Sequence, residues 1–145
     1  MAVMKMLVMI KPDAISRGLV EPILEEIHSI DFATSLGVVT ATYTKKDLEF
    51  LYSHLINEHF WPRIYDGMIG KPYIAIRFYG FYLDSTFTES DFIKTMRNKV
   101  EYIRAKWHNG GPKHENLVHA SSSVEDARRE IEYFFPKTKG ELDHA

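Results

Sequence analysis

The unbroken apolar run Met6 to Ile10, stopped at once by Lys11-Pro12-Asp13, restricts what this chain can fold into more than any other feature. It reads as a buried strand, because proline bars further ladder hydrogen bonding and no small-residue cleavage site follows to mark a signal peptide. Downstream, the apolar residues alternate between helical and strand periods. Val20, Ile23, Leu24 and Ile27 recur at helical spacing with Pro22 in the first turn, and Ser35 to Tyr43 is a strand rich in Val and Thr. Leu48, Leu51, Tyr52 and Leu55 resume the helical period, and a short helix covers Phe60 to Met68. Gly70-Lys71-Pro72 signals a turn before a third strand, Tyr73 to Tyr79. Thr88 with Asp91 caps a further helix bearing Phe92, Met96, Val100 and Ile103. A strand ending in His119 and a last helix, with Val124, Ala127, Ile131 and Phe134 inward, complete a β-α-β-β-α-β order. That order predicts an α+β fold of the ferredoxin-like type, a four-stranded antiparallel sheet covered by helices.

The 145 residues, 45% hydrophobic and 13% aromatic, suit one domain, taken as residues 1–135. The polar tail, 136–145, is expected either to be disordered or to lie on a neighbouring subunit. A formal net charge of -2 and a pI near 6.4 supply no global basic field for nucleic acid or an anionic membrane. Any polyanion must then be small and held locally, which favours a nucleotide. The absence of cysteine removes disulfides, thiolate catalysis and sulfur-ligated zinc. No apolar stretch approaches the roughly 20 residues that span a bilayer, and a cytoplasmic location is expected.

Chemistry concentrates at Asn116-Leu117-Val118-His119-Ala120-Ser121-Ser122-Ser123. Leu117 and Val118 read as a strand end, and Ser122 with Glu125, or Ser123 with Asp126, makes a capping pattern three residues apart. His119 therefore falls at a strand-to-helix junction. Free backbone N–H groups and the helix dipole favour an anion there, and a neutral imidazole nitrogen beside it can attack phosphorus. Glu130 borders the buried stripe of the last helix with Ala127 and Phe134, so its carboxylate requires a partner. The chain carries no Gly-rich Lys-Ser/Thr loop of the kind that cradles phosphates in the P-loop proteins.

Lys11-Pro12-Asp13-Ala14 followed by Arg17-Gly18-Leu19-Val20, together with Asn116 to Ser121 and Glu125 to Phe135, resembles the nucleoside diphosphate kinase family over about residues 5–80 and 102–135. The resemblance implies that His119 takes the γ-phosphoryl group of a nucleoside triphosphate and passes it to a nucleoside diphosphate by ping-pong kinetics. It further implies that Lys11 contacts phosphate, that Tyr52 fixes the lysine and the phosphates, and that Ser121 and Glu130 hold the histidine. Asn116 would reach the sugar hydroxyl, and Phe60 and Ile64 would clamp the base. Magnesium would arrive with the nucleotide, with no dedicated metal ligands in the protein, and the chain would assemble as a hexamer or tetramer.

Residues 81–115 depart from the family pattern of an arginine, a Gly-, Thr- and Pro-rich loop, and a second arginine after Thr-Ile. Tyr102-Ile103-Arg104 resembles the second arginine, Arg97 best matches the first with Lys94 as another candidate, the loop is absent, and about ten extra residues precede the helix. At ~100° per residue, Lys94, Arg97 and Arg104 fall within a sector of about 80° and could line one wall of a phosphate site. The missing loop is expected to leave the nucleotide site more open. A nucleotide-binding protein without turnover, and a metal protein using His108, His114 and His119, are the alternative readings of these residues.

Overall fold

In the computed structural model, which describes residues 3–81 and 86–136, the opening apolar run is the strand β1 (Val3–Ile10). There follow α1 (Pro12–Ser16), α2 (Val20–His28), β2 (Ala33–Thr42), α3 (Lys45–Leu51) and α4 (Trp61–Met68). The chain continues through β3 (Pro72–Phe81), α5 (Glu89–Lys106), β4 (Val118–Ala120) and α6 (Val124–Phe134). Most of the predicted tail lies outside the described residues.

The strands form one antiparallel sheet in the order β2-β3-β1-β4, the ferredoxin-like arrangement that the element order predicted. β1 sits inside that sheet, and both of its faces are covered. Met4, Met6, Val8 and Ile10 enter a core with Ile23, Ile27, Phe92, Met96 and Ile103 from α2 and α5. Leu7 and Met9 enter a second core with Leu48, Leu51, Ile64 and Met68 from α3 and α4. A strand buried on both sides has no use for polar alternation, and this explains the unbroken run. Each of these side chains contributes about 1.5–3 kcal/mol by leaving water.

Three local expectations are corrected. A short helix, α1, follows β1 where the sequence suggested only a break: Pro12 presets the first-turn φ, and Asp13 stands in the first turn. α3, begun by a Thr44–Asp47 capping box, stops at Leu51, so Tyr52 caps its end and Leu55 lies in the turns beyond. Leu117 does not belong to β4. It adopts φ 74° because its N–H is taken by Asp13 Oδ2 at 3.0 Å and its carbonyl by the Lys11 N–H at 2.9 Å. The strand also runs past His119 to Ala120, which pairs with Val8 of β1.

α5 crosses β3 at Gly80, where a Cβ would come within 2.5 Å of the Phe92 ring. Phe92 is fully buried and cannot give way. Gly80→Ala is therefore expected to destabilise the fold by about 1–3 kcal/mol, read as a lower urea midpoint with an unchanged slope.

Candidate active site

β4 lies on the sheet edge beside β1, with Met9 opposite His119, and its exit leads into α6 within three residues. Of the two capping pairs that the sequence left open, Ser123 with Asp126 caps α6, the Ser123 Oγ accepting from the Asp126 N–H at 3.0 Å. Ser122 hydrogen-bonds the Asp126 carboxylate instead.

The His119 side chain is 24% exposed, and its Nε2 lies 3.0 Å from Glu130 Oε2. Glu130, only 4% exposed, receives the Ser121 hydroxyl on its other oxygen at 2.8 Å. Ser121 is in turn tied to β1: the Leu7 N–H donates to its Oγ and its own N–H donates to the Leu7 carbonyl, both at 3.0 Å. An ionised carboxylate can only accept, so the imidazole proton resides on Nε2 and Nδ1 keeps a free lone pair. The buried carboxylate has the partner its place on α6 required. A histidine so held has one ring nitrogen engaged and the other open, an arrangement that can act chemically as a nucleophile.

Lys11, at the end of β1, is 3% exposed rather than a solvated charge. Its Nζ donates to Asn116 Oδ1 at 2.8 Å and stands 5.9 Å from the Tyr52 ring centroid. Burial lowers its pKa to about 8; the Asp13 and Glu115 carboxylates oppose that fall and the Arg104 cation adds to it. Because Asn116 spends its oxygen on the lysine, its amide N–H₂ remains for another partner. Tyr52 is pushed up to about 12, chiefly by burial, with Arg104 pulling down and Asp13 and Glu130 pushing up. Arg104 and Asp13 act on both residues and Glu130 on Tyr52, which makes the five neighbours in one electrostatic site.

Arg97 and Arg104 reach the same region from α5, each through a backbone carbonyl beside His119. Arg104 Nη2 donates to Val118 O at 2.7 Å, and Arg97 Nη1 donates to Ala120 O at 3.2 Å and more weakly to Ser121 O at 3.4 Å. Lys94 borders a surface cavity with Arg97, Glu101 and Ser122. Phe60 and Ile64 belong to the second core: Ile64 is buried there, and Phe60 is half-buried against it. Ile64 thus presents little surface, while Phe60 retains an accessible part.

Sequence reasoning missed Asp13, which pins the Leu117 N–H and acts electrostatically on Lys11. The Pro-Asp pair at a helix start was the signal for it. His108, His114 and His119 are not gathered: the His114 ring packs on Gly67, with Glu115 its nearest acid at 3.9 Å. Among the described residues no group of three His, Asp or Glu side chains is placed to hold a metal ion. No helix among them is long and apolar enough to cross a membrane.

This arrangement can be set beside known proteins. The family model for nucleoside diphosphate kinase matches residues 4–139. A nucleoside diphosphate kinase of Rhodococcus jostii is 31% identical over 137 residues, spanning 90% of this chain and 93% of the relative. One of Acanthamoeba polyphaga mimivirus is 30% identical over 138 residues, spanning 95% and 97%. The crystal structure of the Aquifex aeolicus nucleoside diphosphate kinase superposes with a TM-score of 0.73 at 28% identity, covering 92% of this chain and 96% of that one. Since sequence and fold agree over nearly the whole length, the chain belongs to the nucleoside diphosphate kinase family.

Proposed function

We propose that this chain moves the γ-phosphoryl group of a nucleoside triphosphate to a nucleoside diphosphate in two displacements at His119. The observation that carries this reading is the Glu130 contact to Nε2, which leaves Nδ1 as the nitrogen able to attack. In the first displacement the Nδ1–P bond forms as the bond from phosphorus to the β,γ-bridging oxygen breaks, and the diphosphate leaves with that electron pair. In the second, the terminal oxygen of another diphosphate attacks phosphorus and returns the electron pair to Nδ1. Glu130 keeps its contact to Nε2 and stabilises the imidazole while it carries the phosphoryl group.

Phosphoryl transfer asks the protein mainly for position and for cations around the moving oxygens. Lys11, Arg97 and Arg104 are the cations available, and Asn116 has an amide N–H₂ for the sugar hydroxyl. Phe60 offers its accessible part to the base. Magnesium enters as part of the nucleotide substrate, held by phosphate oxygens and water. Family resemblance further supports a homo-oligomer, hexameric or tetrameric, and a cytoplasmic site of action.

The test is to mix the protein with γ-labelled ATP, quench in alkali, locate the label, and add a different nucleoside diphosphate. Label on His119 that leaves for the new diphosphate is expected. Bound ATP without label would overturn the reading in favour of a silent nucleotide binder. Glu130→Gln is expected to lower kcat about 10²-fold or more, because an amide N–H₂ facing Nε2 favours the proton on Nδ1 and removes the lone pair. Melting in urea should change far less than the rate does.

A further inference from the structure

We propose that Glu101 is an intramolecular stand-in for phosphate: a carboxylate that occupies Arg104 while the site is empty and that the nucleotide must displace. The inference rests on the reading of His119 and its cations given above. Where related chains are expected to carry a loop, this one runs α5 unbroken from Glu89 to Lys106, which puts Glu101 and Arg104 one turn apart on a single helix. Glu101 Oε1 lies 2.7 Å from Arg104 Nη1. Arg104 Nη2 is spent on the Val118 carbonyl, next to the nucleophile. The Arg104 Nε–H is buried and has no hydrogen-bond partner among the described residues.

A guanidinium with one arm on the backbone, one on an exchangeable carboxylate and one buried N–H unmade is a fork that lacks an acceptor. Glu101 satisfies only part of it. Its side chain is 64% exposed against 27% for Arg104, so the pair is screened by water and gives way at small cost. Glu101 also borders the surface cavity that Lys94 and Arg97 line, and so its negative charge opposes a phosphate approaching Arg97 as well as Arg104. Nucleotide affinity is therefore the balance of an exchange, carboxylate for phosphate, rather than the gain of a free cation. Glu101 acts through Arg104 and is a positioning residue.

The experiment measures ADP binding by calorimetry and, separately, steady-state transfer, for the parent protein, Glu101→Gln and Glu101→Ala. Both variants are expected to bind ADP about three- to tenfold more tightly and to lower KM by a similar factor, with kcat within about twofold. The gain should shrink at high salt. If Glu101 merely supports Arg104, KM rises and kcat falls in both variants, and the proposal is overturned; unchanged affinity overturns it equally. Labelling of His119 is read on the same samples. ADP affinity that responds to Glu101 in a protein that never takes label would sink the transfer reading and leave this one standing.

Discussion

His119→Ala is expected to take no label from γ-labelled ATP and to lose transfer activity by about 10⁴-fold or more, because the remaining residues supply position and charge but no nucleophile. The same substitution strands Glu130. Its carboxylate is 4% exposed and keeps only the Ser121 hydroxyl, at 2.8 Å, once the imidazole is gone. A buried acceptor left half-satisfied costs about 1–3 kcal/mol, so the variant should also unfold at lower urea. The two losses separate in the double variant His119→Ala/Glu130→Leu, which removes the stranded charge. It should recover part of the stability and none of the activity. Recovery of activity in any variant lacking His119 would show that phosphoryl transfer runs through another group.

Lys11→Met is expected to lower kcat/KM about 10²- to 10³-fold while raising the stability of the fold. The loss follows from removing a cation that, in the proposed transfer, faces the moving phosphoryl oxygens. The gain follows from burial. The lysine keeps its proton in the native state at neutral pH, although burial has lowered its pKa from the ordinary 10.5 to about 8. Below pH 8 both folded and unfolded chains hold that proton, and the whole desolvation cost weighs on the native state. Between pH 8 and 10.5 the unfolded chain binds more protons than the folded one, so this group makes the parent protein more stable as pH rises. Methionine escapes the cost at every pH. Its advantage should be about 1–3 kcal/mol at pH 7, after allowance for the lost bond to Asn116, and should vanish near pH 10.5. In the parent, kcat/KM should fall above pH 8 as the free protein loses the Lys11 proton, whereas Lys11→Arg, always charged, should lack that limb. A pH-independent stability difference between the parent and the Lys11→Met variant would show that the ammonium is not buried at a cost.

The elements that sequence reading placed well are those whose cause is local. The helix after Thr88 begins where a capping box with Asp91 forms, three residues away, and both hydrogen bonds of that box are present. The misplaced ends have distant causes. Leu55 continues the helical period of Leu48 and Leu51, yet α3 stops at Leu51 and the chain passes into turns, with Tyr52 at the side of Lys11. Leu117 looks like the start of a strand, but Asp13 and Lys11 hold its backbone in the left-handed region from more than a hundred residues upstream.

The candidate site divides along the same line. The sequence by itself determined that a histidine stands at a strand-to-helix junction, that a carboxylate on the following helix faces inward, and that the first strand has no polar face, because periods of two and 3.6 residues record which side of each element is buried. Only the tertiary structure decided which imidazole nitrogen is free, that Lys11 is buried and titrates near 8, and that Arg104 is occupied by Glu101. Those are properties of atoms in contact across the fold. Proton position, pKa and the occupancy of a cation depend on partners a few ångströms away, and the pairing of Lys11 with Asn116 comes into being only when the sheet closes.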